Sequence, residues 1–105
     1  MKRNKYGNKK VIIDGLKFDS KAEGNRYLVL KDRLQRLEIS NLEMQPMFPV
    51  HINGKRVCKY FADFKYTHQG QEIIEDVKGA RTAIYRLKKK MVEAEHNIRI
   101  TEIKA

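Results

Sequence analysis

Short apolar-rich runs recur along this chain, and three pairs of them are separated by a dipeptide that ends in glycine. The dipeptides are Asp14-Gly15, Asn53-Gly54 and Gln69-Gly70. A glycine-containing dipeptide between two strand-like runs is typical of a β-hairpin, because glycine readily adopts the positive φ angles of a two-residue turn. We therefore expect three hairpins, formed by residues 11–18, 48–61 and 60–79.

Two other stretches have the spacing of amphipathic helices. Ser20 to Glu23 form a capping box, in which Ser20 caps a helix that should run to about Leu37. The predicted core-facing stripe of this helix is Tyr27, Leu30, Leu34 and Leu37. Thr82 is expected to cap a second helix. The predicted inner face of this second helix is Ile84, Leu87, Met91 and Ala94.

Two further segments predict strands. Residues 39–45 lead into one strand, and Pro46 and Pro49 place it at a sheet edge or a bend, since proline cannot donate a backbone hydrogen bond. Residues 97–103 alternate in polarity and predict a last strand beside the 60–79 hairpin. Together the elements indicate an α/β domain, with a mixed sheet of four or five strands flanked by two main helices.

Length and charge narrow the possible functions. The chain has 105 residues, enough for one domain with a single modest core. We divide it into a basic N-terminal arm, residues 1–10, and a single domain, residues 11–105. The formal net charge of +10 indicates an anionic partner, and nucleic acid is the commonest such partner. A ribosomal or chromatin protein would carry a similar charge, so charge alone does not indicate an activity.

Other features exclude several classes of protein. Cys58 is the only cysteine, which rules out an intramolecular disulfide and a four-thiolate zinc site. The three histidines show no metal-ligand spacing. No apolar run is long enough to predict a membrane span, and none follows the basic N-terminus as it would in a signal peptide. We expect a cytoplasmic protein without a membrane partner.

The 60–79 hairpin carries the candidate chemistry. If Gln69 and Gly70 are its loop residues, Asp63 lies directly opposite Asp76, and Lys78 shares their face. Opposed carboxylates about 5 Å apart repel each other. A cation between them relieves that repulsion, and oxygen ligands of this kind favour Mg²⁺. A register slip of one residue would bring Glu75 to Asp63 instead. A surface hairpin whose charges merely face solvent is the structural alternative.

The order of the short motifs resembles a known nuclease superfamily. Asp63, then Asp76-Val77-Lys78, preceded by Glu23 on a helix, resembles the signature of the PD-(D/E)XK nucleases. The blocks that carry the closer likeness are Tyr6-Gly7, Asp14-Gly15, Phe18 to Glu23, Gln45-Pro46, Ala62 to Phe64 and Glu75 to Gly79. They are similar to a family of small phage-borne proteins in that superfamily, to transposon-end nucleases and to Holliday junction resolvases. Ala62 stands where the proline of the signature would be.

The resemblance implies a restriction-endonuclease-like fold and a Mg²⁺-dependent DNA endonuclease, with Mn²⁺ as a possible substitute. It implies that Asp63, Asp76 and the main-chain carbonyl of Val77 bind the metal. Lys78 would position the attacking water. Glu23 would support the metal, although its carboxylate could instead serve only the capping box. The implied substrate is branched or junction DNA, and symmetric cutting of a junction would require two active sites and hence a possible homodimer.

A second set of residues is expected to contact DNA. These candidates are Lys5, Lys9, Lys10, Gln45, Arg81, Tyr85, Arg86, Lys88 and Lys89. Phosphate contact would explain so dense a basic helix face, although a solvated face is the structural alternative. Gln45 could touch substrate or the attacking water, or it could be a turn residue. Two other functions remain open: a DNA-binding accessory protein that keeps the fold without cleavage, and an RNA-binding protein of ribosomal type.

Overall fold

The computed structural model describes residues 9–105, which form eight strands and two helices. In chain order these are β1 Val11–Ile13, β2 Leu16–Phe18, α1 Lys21–Gln35, β3 Ser40–Met44, β4 Met47–Ile52, β5 Lys55–Phe61, β6 Phe64–His68, β7 Gln71–Lys78, α2 Ala83–His96 and β8 Ile100–Lys104. Lys5, the Tyr6-Gly7 block and most of the predicted basic arm lie outside the described residues. Neither helix in the described part is long and apolar enough to span a membrane.

The fold class is α/β, as predicted, and the central sheet has four strands in the order β3-β6-β7-β8. This sheet is mixed, because β7 pairs antiparallel with β6 and parallel with β8. Two separate two-stranded sheets are the hairpins β1-β2 and β4-β5. Together with the two helices, the arrangement is consistent with a restriction-endonuclease-like α/β fold.

The three predicted hairpin turns are confirmed. At each turn both loop residues have positive φ: Asp14 and Gly15, Asn53 and Gly54, Gln69 and Gly70. The last turn sets the β6-β7 register, in which His68 pairs with Gln71 and Phe64 with Glu75. This is the register that we predicted, so the alternative slip that would place Glu75 opposite Asp63 is excluded.

The strand before this hairpin does not run unbroken into Asp63. The chain leaves β5 at Phe61 and enters β6 at Phe64. Between them, the Ala62 N–H donates to the Pro46 carbonyl at 3.1 Å, and the Asp63 N–H donates to the Glu75 carbonyl at 3.0 Å. The two-residue break lets the chain pass from the β4-β5 sheet to the central sheet, and Asp63 lies in that break.

The helices cover opposite faces of the central sheet and define two cores. On the α1 face, the buried residues are Phe18, Tyr27, Leu30, Ile39, Phe64 and Tyr66. On the α2 face, the buried residues are Val50, Tyr60, Ala62, Ile74, Tyr85, Val92 and Ile100. Because strand side chains alternate, adjacent residues of β7 face different helices. Glu75 therefore points toward α1, and Asp76 points toward the α2 side.

Two predicted helix faces need correction. Helix α1 ends at Gln35, and Leu37 is 90% exposed because the chain turns there with a positive φ of 62°. On α2 the buried stripe contains Tyr85 and Val92, and Met91 packs against the same core, as predicted. Ile84 and Leu87 are instead 68% and 57% exposed, and Ala94 is exposed as well. Apolar periodicity missed this stripe because tyrosine combines an apolar ring with a polar tip, and the tip has a partner on β8.

Candidate active site

Asp63 and Asp76 meet where the antiparallel ladder between β6 and β7 ends. The Asp63 carboxylate accepts a hydrogen bond from the Val77 N–H, with 2.7 Å between Oδ2 and N. The backbone N–H of Asp63 also lies against the Asp76 carboxyl. Asp63 lies in the break before β6. Its side-chain oxygen, rather than a backbone carbonyl, therefore accepts the hydrogen bond from the Val77 N–H. Both carboxylates are thereby fixed to one strand edge, as predicted.

Asp76 is a buried acid whose charge is incompletely compensated. It is 1% exposed, and its Oδ2 has no hydrogen-bond partner within residues 9–105. Burial raises the pKa of Asp76 to about 6, although the Lys78 ammonium nearby favours the ionised form. A buried carboxylate oxygen without a partner carries a desolvation cost, and native proteins rarely leave one in this state without a reason.

Glu23 joins the pair from the first turn of α1. Its backbone N–H donates to the Ser20 hydroxyl at 3.1 Å, which confirms the helix cap. Its carboxyl lies within hydrogen-bonding reach of the Asp63 carboxyl. Burial, followed by the charges of Asp63 and Asp19, raises the pKa of Glu23 to about 7. Burial also raises the pKa of Asp63. Glu23, Asp63 and Asp76 thus form one group of acids, which we call the acidic cluster, and the backbone N–H of Glu23 also takes part in the helix cap.

Lys78 lies on the same face as the acids and is fixed by an aromatic ring. Its Nζ lies 4.3 Å from the centroid of the Tyr85 ring, within the range of a cation–π contact. The Tyr85 hydroxyl donates to Glu102 at 2.8 Å, and Glu102 pairs with Asp76 in the parallel β7-β8 ladder. Lys89 and Arg81 bind the same carboxylate at 3.3 and 3.2 Å. The Tyr85 ring, which is held by the ion-paired Glu102, thus restricts the position of the Lys78 ammonium.

Glu75, the neighbour of Asp76, has hydrogen-bond partners for both of its carboxylate oxygens. Arg26 of α1 donates to both of its carboxylate oxygens, at 2.9 and 2.7 Å, and the Tyr66 hydroxyl donates to one of them. Glu75 is 1% exposed, so this is a buried ion pair with both oxygens satisfied. Its position on the α1 face agrees with the predicted register. Its role is to attach α1 to β7, one helical turn from Glu23.

A cleft of about 870 Å³ opens beside these groups. Its lining includes Glu23 and Asp19 on the α1 side, and Val77 and Lys78 at the end of β7. Lys9 and Lys21 contribute further cations to the lining. A charged ligand that enters the cleft therefore meets Glu23, Asp19 and three lysines together.

Two carboxylates and one backbone carbonyl could hold a divalent cation here. The C=O and N–H of a strand residue point toward the same neighbouring strand, so the Val77 carbonyl faces the Asp63 side. Within the described residues, no three His, Cys, Asp or Glu side chains form a ready metal cluster. Mg²⁺ commonly takes only one or two carboxylates and completes its shell with water and phosphate oxygens. The unpartnered Oδ2 of Asp76 fits such a ligand role.

The predicted DNA-binding residues are distributed unevenly over the surface. Tyr85 is buried, so the prediction that it lies on the exposed basic face is wrong; its ring instead contacts Lys78. Arg81 and Lys89 pair with Glu102, and Lys10 pairs with Asp19 at 3.6 Å. The exposed Gln45 has a φ of 55°, and its backbone N–H donates to the Asp63 carbonyl at 2.9 Å. Gln45 is thus a turn residue that also supports the acidic site.

Sequence reasoning missed three residues that build the site: Arg26, Tyr66 and Glu102. Arg26 follows Glu23 by three positions on the same helix face, which is the one local signal that could have identified it. Glu102 reaches Asp76 only through the parallel β7-β8 pairing, for which the sequence has no turn signal. Tyr66 was part of a strand-like run, and its hydroxyl partner Glu75 could be identified only once the fold was known.

Comparisons with known proteins place the chain by family alone. No curated protein and no solved structure matches it. One family, described as "Protein of unknown function (DUF1064)", matches residues 3–105. This match spans nearly the whole chain, including every residue of the acidic cluster, and we conclude that the chain belongs to the DUF1064 family.

Proposed function

We propose that the protein is a metal-dependent DNA endonuclease that hydrolyses phosphodiester bonds. The observation that carries the proposal is the convergence of Asp63, Asp76 and Lys78 at one strand edge, where a buried oxygen of Asp76 has no partner. A purely structural site would satisfy that oxygen, as Arg26 satisfies both oxygens of the neighbouring Glu75. The excess of positive charge supports an anionic substrate.

In this proposal Asp63, Asp76 and the Val77 carbonyl bind Mg²⁺, for which Mn²⁺ can substitute. When bound, the cation supplies the positive charge that activates a water molecule and offsets the charge of the scissile phosphate. Lys78 donates hydrogen bonds to the water or the phosphate, and the Tyr85 ring limits the positions that its ammonium can take. Glu23 lies against Asp63 and, with a pKa of about 7, can exchange a proton at neutral pH.

The resemblance to PD-(D/E)XK nucleases supports membership of that superfamily and suggests branched or junction DNA as the substrate. Symmetric cutting of a junction requires two active sites, so we further propose a homodimer as the form that cuts junctions. We expect the protein to act in the cytoplasm, where a single cysteine such as Cys58 remains reduced.

A second function is a DNA-binding accessory protein without cleavage, and the raised pKa values of Glu23 and Asp76 favour it. They leave part of the acidic cluster neutral near pH 6 to 7. DNA could then bind over it with less repulsion.

The test is incubation of the protein with end-labelled linear, nicked, forked and four-way DNA, with Mg²⁺, with Mn²⁺ or with a chelator. We expect cleavage that requires the metal and is fastest on a branched substrate. The Asp76→Asn variant, purified in the same way, is the control for contaminating nucleases. Binding of all four substrates without cleavage of any would support the accessory function instead.

A further inference from the structure

The β4-β5 hairpin has one face packed in the protein and one face exposed. Phe48 and Val50 of β4, with Cys58 and Tyr60 of β5, turn inward and belong to the α2-side core. Their neighbours turn outward in two cross-strand pairs: Met47 with Phe61, and Pro49 with Lys59. We call these four residues the outer hairpin face. Its two largest apolar side chains are well exposed, Phe61 at 57% and Met47 at 44%.

The charge of this hairpin favours a nucleic-acid partner over a second copy of the chain. Between Glu43 and Asp63 the sequence contains no acidic residue, and it contains the exposed cations Lys55, Arg56 and Lys59. A second copy would bring the same cations and a net charge of +10 to the contact. An exposed aromatic ring among cations is instead the combination that binds bases by stacking and phosphates by charge.

The outer hairpin face is joined directly to the acidic site. Phe61 precedes the break that contains Asp63, and Met47 follows Pro46, whose carbonyl accepts a hydrogen bond from the Ala62 N–H. The Asp63 carbonyl in turn accepts from Gln45. Phe61 is therefore two residues from Asp63, and Met47 is two residues from Gln45, which is hydrogen-bonded to Asp63. A nucleotide whose phosphate lay at Asp63 would have neighbours within reach of the Phe61 ring.

We propose that the outer hairpin face binds an unpaired nucleotide next to the scissile phosphate, with its base stacked on Phe61, its edge against Met47 and its phosphate near Lys59. Bases inside a duplex are covered on both faces by their neighbours, and they do not offer a free face to the ring. The substrate class is therefore DNA with unpaired nucleotides beside a duplex, such as a fork or a flap. This inference rests on the proposed nuclease function for the identity of the phosphate being cut.

Stacking can be observed directly, because the chain contains no tryptophan. In an Asp76→Asn background with chelator, Phe61→Trp supplies a single fluorophore on the outer hairpin face. A forked oligonucleotide with unpaired arms should quench its fluorescence, whereas a fully paired duplex of the same sequence should not. Leu37→Trp, at a 90% exposed position beyond the other end of α1 from Glu23, is the matched control and should respond to neither DNA.

Affinity provides the second measurement. Loss of one stacked base contact should weaken binding of the fork by about 5- to 100-fold in Phe61→Ala, with less than about a twofold change for the duplex. Lys59→Ala should weaken both by a similar factor, since a phosphate contact does not distinguish them. Leu37→Ala is the control for loss of an exposed apolar side chain and should leave both affinities unchanged.

Each outcome decides the inference separately from the nuclease function. Equal affinity of Phe61→Ala and the parent protein for the fork, or equal losses for fork and duplex, would overturn the stacking site even if Mg²⁺-dependent cleavage is observed. A selective loss for the fork without cleavage of any substrate would retain the stacking site and reject the nuclease. A change from dimer to monomer in Phe61→Ala, without selective loss for the fork, would identify this face as a contact between copies.

Discussion

The two faces of β7 give adjacent acids different hydrogen-bond surroundings. Toward α1, Glu75 has both oxygens satisfied by Arg26 and one of them also by Tyr66. Toward the α2 side, Asp76 is equally buried, yet one of its oxygens has no partner in residues 9–105. Burial alone therefore does not distinguish the two acids. The state of their carboxylate oxygens does, because an unsatisfied oxygen is a free energy cost that a bound cation can remove, as in the metal site that we propose.

The difference between Asp76 and Glu75 should appear most strongly in the cleavage rates of variants of the acidic cluster and of Lys78. Asp76→Asn and Lys78→Ala should each lower the cleavage rate by about 10³-fold or more, because each removes an interaction that stabilises the transition state. DNA binding by Asp76→Asn should be unchanged or tighter, since a negative charge near the phosphate backbone is lost. The measurements are single-turnover cleavage and a binding titration in chelator. Cleavage at the parent rate by Asp76→Asn would remove Asp76 from the mechanism.

Glu75→Gln tests whether the buried ion pair of Glu75 with Arg26 stabilises the fold. Breaking a buried ion pair leaves the Arg26 guanidinium without its charge partner, and we expect a loss of about 2–4 kcal/mol in the free energy of unfolding. Urea denaturation of the variant and the parent measures this loss. At a temperature where the variant is folded, most of the cleavage activity should remain. Complete loss of cleavage in a fully folded Glu75→Gln would show that Glu75 has a direct catalytic role.

The pH dependence of stability tests the raised pKa values of Glu23 and Asp76 without any assay of cleavage. Burial raises the pKa of Glu23 to about 7 and that of Asp76 to about 6, above their ordinary values of 4.5 and 3.8. The folded protein therefore binds protons more tightly than the unfolded chain. The resulting stabilisation is complete below about pH 4 and is lost as the pH rises through 6 to 7.

Between pH 5 and pH 8 in chelator, these two acids should together lower the free energy of unfolding by about 2 kcal/mol after allowance for solvent screening. In Asp76→Asn the decrease should be smaller, and saturating Mg²⁺ should reduce it in the parent protein. Denaturation curves at the two pH values measure it. The same decrease in Asp76→Asn as in the parent would assign the effect to other groups.

The smallest effect concerns the basic surface of α2. Arg86 and Lys88 take part in none of the ion pairs found within residues 9–105, whereas Lys89 and Arg81 are paired with Glu102. Replacing Arg86 and Lys88 by alanine should reduce the log-log salt slope of DNA affinity by about two units, at 0.9 per phosphate contact. Lys89→Ala should change the slope less. Equal effects of all three would show that the Glu102 pairs open when DNA binds.

Local signals in the sequence predicted the parts of the site that depend on neighbouring residues. The Gln69-Gly70 turn was enough to set the register that brings Asp63 to the Asp76 edge, because two-residue turns leave little freedom in pairing. The Ser20 cap likewise fixed the start of α1 and the position of Glu23. Both depend on interactions within a few residues along the chain.

Contacts between distant segments were not predictable. Arg26 and Glu75 are 49 residues apart, and neither pattern nor spacing indicates which of two adjacent acids an arginine will bind. The same limit explains why the inner face of α2 was misassigned. Tyr85 is buried there because Glu102 accepts its hydroxyl hydrogen bond, and Glu102 is positioned by a parallel strand pairing that has no local signal.

The parallel pairing of β7 with β8 has a kinetic consequence. The hairpins β1-β2, β4-β5 and β6-β7 close over short loops and should form early in folding. Strand β8 joins β7 only after the chain has passed through α2, so its closure is slower. The hydrogen bond between Asp63 and Val77 should therefore form early in folding. The contact of the Tyr85 ring with Lys78, and the bond from Tyr85 to Glu102, should form late. A folding intermediate with all three hairpins formed would still lack the ordered lysine, and in the nuclease that we propose cleavage should return last on refolding.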